Sequence, residues 1–170
     1  MAGLMNTEEI AAAHRTIVIE GCDGARKSTL ATRLAREHGF TVIHCPRTPD
    51  SVSLLQRYLG VLTRPGRLVL DRSFISELAY GPLYRGRSRI TWDEARTLAK
   101  AVVNRDGVFL HLTASTAVIQ TRLLNRDKEA PLPEEIAALL AAYQTVFATL
   151  AESVPVMTLD TTVGGRPSTA

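Results

Sequence analysis

Five short apolar runs punctuate the chain: Thr16 to Glu20 (TIVIE), Phe40 to His44 (FTVIH), Arg67 to Asp71 (RLVLD), Val108 to Thr113 (VFLHLT) and Val154 to Asp160 (VPVMTLD). They are rich in Val, Ile and Leu and mostly do not alternate with polar residues, which is the pattern of strands covered on both faces. Between them, helix-like patterns run over Ser28 to His38, Val52 to Leu62, Phe74 to Tyr80, Trp92 to Asn104, Ser115 to Asn125 and Pro133 to Glu152. This spacing predicts six helices. Strands alternating with helices predict an α/β fold with a parallel sheet and helices on both faces. Thr91 and Glu94 form a T-x-x-E capping box before the fourth of these helices. Pro133, followed by Glu134 and Glu135, suits the first turn of the sixth.

At 170 residues the chain is expected to be a single domain over 1–170, with 1–14 as an N-terminal extension and 162–170 as a flexible tail. An ordinary balance of 45% hydrophobic and 22% charged residues excludes a disordered, collagen-like or coiled-coil chain. The net charge of +3 comes without a dense basic run, which argues against a nucleic-acid partner. Cys22 and Cys45 are too few for a disulfide framework, and the four histidines lack metal-ligand spacing. No stretch approaches the roughly 18 apolar residues of a membrane helix, and Ala2 stands where myristoylation needs Gly. No membrane partner and a cytoplasmic location are therefore expected.

The most informative segment is Glu20 to Thr29, EGCDGARKST, between the first strand and the first of the six helices. In that setting it reads as a phosphate-binding loop formed by Gly21, Cys22, Asp23, Gly24, Ala25, Arg26, Lys27, Ser28 and Thr29. Its N–H groups would form an anion nest at a helix N-terminus, Lys27 would reach the β- and γ-phosphates of ATP, and Ser28 would bind Mg²⁺. One position departs from G-x-x-x-x-G-K-[ST]: Arg26 stands where the pattern has Gly. Either its side chain crowds or plugs the nest, or it swings outward and the loop still works.

With this loop and the Asp71-Arg72-Ser73 run that ends the third strand, the sequence resembles the thymidylate kinase branch of the nucleoside monophosphate kinases. Ser76-Glu77-Leu78-Ala79-Tyr80-Gly81 is similar to that family's Ser-x-x-Ala-Tyr segment. The resemblance spans about Arg15 to Thr162. It implies a three-layer P-loop NTPase fold, with a five-stranded parallel sheet in the order 2-3-1-4-5, and often a homodimer. It also implies that Asp23 touches the acceptor sugar and that Arg72 clamps the acceptor phosphate, with Tyr80 beside it; Arg47, from its place after the second strand, is either a further acceptor-phosphate contact or a solvated loop arginine. Besides Arg26, the chain departs from the family in lacking a clear Arg-Glu-Pro after the second strand and a helix after the fifth.

Asp71, at a strand's carboxyl end, is positioned to hold Mg²⁺ through water. Arg122 and Arg126 share a helical face before the short connection 129–132, and are expected as lid cations that neutralise transferring charge. Arg85, Arg87 and Arg89 form a basic loop. Tyr58 and Phe74 suit a core at least as well as a base platform. The functional expectation is an ATP- and Mg²⁺-dependent kinase acting on a deoxynucleoside monophosphate, dTMP or a related pyrimidine. A deoxynucleoside kinase is the neighbouring alternative, although its acid after the second strand is replaced by His44-Cys45-Pro46. A nucleotide-binding protein of the same fold, impaired by Arg26, is the alternative of another class.

Overall fold

The computed structural model describes residues 6–163. Five parallel strands, β1 (Thr16–Glu20), β2 (Thr41–His44), β3 (Leu68–Asp71), β4 (Gly107–Thr113) and β5 (Val156–Asp160), form one sheet in the order β2-β3-β1-β4-β5. Every residue of β1 and β3 is buried, as is β4 up to Leu112, so both faces of the central strands are covered. The outer strands β2 and β5 are partly exposed because each has a neighbour on one side only.

The connecting helices are α1 (Thr7–Ala13), α2 (Lys27–His38), α3 (Leu54–Val61), α4 (Ile75–Tyr80), α5 (Trp92–Val103), α6 (Thr116–Asp127) and α7 (Pro133–Ala151). Their starts follow local chemistry: Ser53, Thr91 and Ser115 each cap with a side-chain oxygen on a backbone N–H three residues on. Gly39 closes α2 in the left-handed conformation, which costs a residue without Cβ little.

Local structure extends into both terminal segments. The 1–14 segment contains α1, which is opened by an Asn6/Glu9 capping box and buries Ile10 and Ala11 in the main core. Thr162, expected in the flexible tail, is ordered: its hydroxyl accepts from Ser115 N at 2.8 Å. The remainder of that tail, from 164 on, lies outside the described residues.

His111 on β4 is buried and stacks on Phe147 and Tyr143 of α7, and its Nε2 has no hydrogen-bond partner. Burial pushes its pKa down to about 4, so the ring is neutral at pH 7. A depressed histidine pKa gives stability that is fully present above about 6.5 and is lost as pH falls towards 4. A shift of this size corresponds to about 3 kcal/mol. Its β1 neighbour in register, Glu20, is pushed the other way by burial, so its contribution is largest at low pH. The His111 term is thus read as a difference: denaturation of His111→Phe between pH 6.5 and 4 should lose less stability than the parent. Equal losses would contradict the assignment.

Candidate active site

Each candidate residue is placed by the carboxyl ends of β1 and β3 or by the helices around them. Gly21 leaves β1 at φ +151°, and a Cβ there would lie 2.1 Å from the Leu112 carbonyl oxygen, so only glycine lets the loop pass β4 this closely. Arg26 takes the left-handed conformation (φ 69°, ψ 33°) that glycine would take. Its side chain is exposed at a cleft of about 850 Å³, and α2 begins at the next residue. The first N–H groups of α2 have no intrahelical acceptor, as an anion nest requires.

Lys27 is buried, with Nζ 2.8 Å from the Cys22 carbonyl and 3.8 Å from Asp23 Oδ1. Burial, then the nearby Arg72, lower its pKa, while Glu20 and Asp23 pull it back up. Cys22 and Ala25 bury their side chains, so only their backbone belongs to the loop's inner surface. Burial raises the Cys22 thiol to about 11, which keeps it protonated. Gly24, Ser28 and Thr29 line the large cleft with Arg26 and Lys27.

Ser28 Oγ donates to Asp71 Oδ2 at 2.8 Å, and His44 Nδ1 lies 3.2 Å from the same oxygen. One hydroxyl and one carboxylate at a phosphate-sized cleft suit Mg²⁺, which keeps most of its waters and takes its other ligands from substrate phosphates. His44 was not among the expected site residues. Register explains its place, since β2 pairs His44 with Asp71.

A second cleft of about 340 Å³ adjoins the first and is lined by Arg47, Tyr58, Tyr80, Glu77, Arg85 and Arg89. Asp23, Arg72, Cys45 and Pro46 line both clefts. At the junction the Arg72 guanidinium donates to Asp23 Oδ1, so the two residues that the family resemblance assigned to the acceptor face each other. Arg72 itself is left-handed at φ 70°, and its N–H donates to the Ile19 carbonyl at 3.2 Å. Arg47 is exposed and paired with Asp50 at 2.9 Å. Tyr58 and Phe74 pack edge to face in the core, although the Tyr58 side chain also borders this cleft.

Glu20 was missed by sequence reasoning. It is fully buried and accepts hydrogen bonds from Ser73 N (2.6 Å), Ser73 Oγ (3.1 Å), Ser76 N (3.1 Å) and Ser76 Oγ (2.9 Å), with Tyr143 Oη at 3.4 Å. These bonds tie the end of β1 to the turn that carries Arg72. Desolvation raises its pKa, opposed by Lys27 and by its serine donors. A Ser-x-x-Ser pattern after Asp71-Arg72 is visible in the sequence, but its partner lies 53 residues earlier.

The expected lid pair divides. Arg122 donates to Gly24 O (3.0 Å) and Thr161 Oγ1 (2.9 Å), and also to the Thr161 carbonyl. It therefore braces the phosphate loop against the end of β5, while lining the large cleft. Arg126 is exposed beside the same cleft, with its guanidinium on Asp127 at 2.6 Å.

No family model matches the chain. The SPbeta prophage-derived uncharacterized protein YorR of Bacillus subtilis (strain 168) is 26% identical over 134 residues, covering 77% of this chain and 81% of that protein. A crystal structure of YorR in complex with phosphorylated GDP superposes with a TM-score of 0.73 at 22% identity, over 86% of this chain and 85% of that one. The fold is that of P-loop kinases. Deoxyadenosine kinase from M. mycoides with bound dCTP superposes at TM-score 0.55 and 16% identity, over 85% of this chain and 89% of that one. A gluconokinase from Sinorhizobium meliloti 1021 superposes at 0.53 and 17%, over 91% and 85%. This P-loop kinase fold thus recurs in proteins named for acceptors as different as a nucleoside and a sugar acid, so the fold alone names no acceptor. Among the described residues no helix is long and apolar enough to cross a membrane.

Proposed function

We propose that the protein is an ATP-dependent kinase that transfers the γ-phosphoryl group of ATP to a deoxynucleoside monophosphate. The observation that carries this reading is the pair of adjoining clefts meeting at Asp23 and Arg72, with Lys27, Ser28 and Asp71 in the larger. ATP occupies the larger cleft, with its phosphates on the N-terminus of α2 and Lys27 at the β- and γ-phosphates. Mg²⁺, held through Ser28 and water on Asp71, would neutralise phosphate charge. Arg72 releases Asp23 to take the acceptor phosphate, whose oxygen attacks the γ-phosphorus in line as its bond to the β–γ bridging oxygen breaks. That oxyanion needs no general base, so catalysis is positioning and charge neutralisation. The nucleotides in the YorR and deoxyadenosine kinase structures support the nucleotide reading. The expectation of dTMP or a related pyrimidine rests on the family resemblance alone. A homodimer in the cytoplasm is part of the same reading.

A nucleoside acceptor is the second reading, favoured by the contact of His44 with Asp71 at the rim of the large cleft. An acceptor hydroxyl needs its proton taken, and a carboxylate-held imidazole serves that end. Incubation with γ-labelled ATP separates the two. Label appearing in a nucleoside diphosphate supports the first, and label in a monophosphate made from a nucleoside supports the second.

Arg26 is consistent with an active loop, because its backbone already has glycine's conformation and its side chain is exposed at the large cleft rather than packed inside the loop. Arg26→Gly should therefore gain about 1 kcal/mol of stability by removing left-handed strain. Turnover in the same labelling assay should change less than about tenfold, since the loop's backbone conformation is kept and Lys27 is untouched. A rise of about a hundredfold or more would instead mark the natural protein as impaired.

A further inference from the structure

The second cleft holds a carboxylate that the proposed phosphoryl transfer does not use. Glu77 of α4 is only 12% exposed, and its Oε1 accepts from the Arg85 guanidinium and from Arg89 N at 2.8 Å. Its Oε2 takes no hydrogen bond among the described residues. A carboxylate is an acceptor only, so an occupant that satisfies Oε2 has to bring N–H or O–H donors. The Arg85 guanidinium beside it carries five N–H donors, which call for an acceptor next to those donors. Tyr80 and Tyr84 stack at 5.6 Å and 25° and line the same cleft, giving it a flat aromatic wall suited to a planar ring.

We propose that Glu77 and Arg85 read the acceptor's base, and that the base is guanine. Resting on the second cleft being the acceptor site, the inference assigns that site's specificity. Guanine presents two contiguous donors, N1–H and the N2 amino group, followed by the O6 carbonyl, which matches a carboxylate with a guanidinium at its side. Thymine offers a single N–H between two carbonyls, whose oxygens would oppose the carboxylate. Adenine and cytosine place an unprotonated ring nitrogen next to their amino group, so one of the two positions facing Glu77 would be repulsive. Gly81 fixes the frame: a Cβ there would lie 2.7 Å from the Arg87 carbonyl oxygen and 3.0 Å from Glu77 Oε1. The π-helical turn Gly81–Arg85 that follows α4 brings Arg85 back over Glu77.

The test is equilibrium binding of dGMP, dTMP, dCMP and dAMP to the full chain by calorimetry without ATP, repeated with Glu77→Gln and Arg85→Ala. Glu77→Gln keeps an oxygen for Arg85 and Arg89, and Arg85 is partly exposed, so unchanged melting curves will certify both as folded. The expected result is dGMP binding at least tenfold tighter than the other three. Either substitution should lower dGMP affinity by roughly 10- to 100-fold, while the other three stay within about threefold. Equal affinity for all four, a preference for another base, or a dGMP affinity untouched by Glu77→Gln would overturn the assignment and leave the kinase reading standing. A chain that binds Mg-ATP but none of the four overturns both.

Discussion

Replacing Lys27 with alanine should lower phosphoryl transfer by about 10²- to 10³-fold while leaving the fold intact. Lys27 is the cation of the loop with a buried ammonium, and its Nζ sits on the loop's own Cys22 carbonyl and near Asp23, where phosphate oxygens would replace those partners. A fixed donor in a water-poor site is worth more than in water, and loss of one such donor costs factors of that size. Stability should not fall, because the residue's pKa is lowered mainly by burial, the mark of a charge held at a desolvation cost. The variant is checked by turnover beside thermal melting. Undiminished turnover would remove Lys27 from the mechanism, and a collapsed melting curve would make it structural.

Glu20→Ala should cost about 3–5 kcal/mol of stability, the range for removing one partner of a buried charged network. Two backbone N–H groups and two serine hydroxyls now end on one carboxylate, and of these only Ser76 N–H has another acceptor, the Ser73 carbonyl at 3.3 Å. The loss should be accompanied by a raised KM for the acceptor, because the Ser73 to Ser76 turn holds Arg72 at the cleft junction. Urea denaturation and steady-state kinetics read the two effects separately. A loss below about 1 kcal/mol would show that water replaces the carboxylate.

The central sheet was legible because β1, β3 and β4 are buried on both faces and therefore carry unbroken apolar runs that announce themselves locally. The phosphate loop was legible because its chemistry is contiguous. Other features depend on distant partners. Arg122 shares a helix face with Arg126, which suggested a lid, yet its guanidinium is claimed by Gly24 and by Thr161, 98 residues before it and 39 after it in the chain. Glu20 reads as the last residue of a strand until the turn after β3, α4 and α7 bring Ser73, Ser76 and Tyr143 to it. The helix α1 has a readable signal in Asn6 and Glu9, but its seven residues offer little apolar periodicity. Arg26 was ambiguous because sequence gives the residue and not its φ, and a left-handed arginine is uncommon outside such a turn.

The most direct test of Lys27-dependent transfer from ATP to a nucleotide is Mg-ATP turnover, followed by coupled ADP release against a panel of deoxynucleoside monophosphates and nucleosides, with Lys27→Ala as the blank. The account predicts ADP release that requires a monophosphate acceptor and vanishes with Lys27→Ala. A folded protein that releases no ADP above that blank with any acceptor in the panel would contradict it.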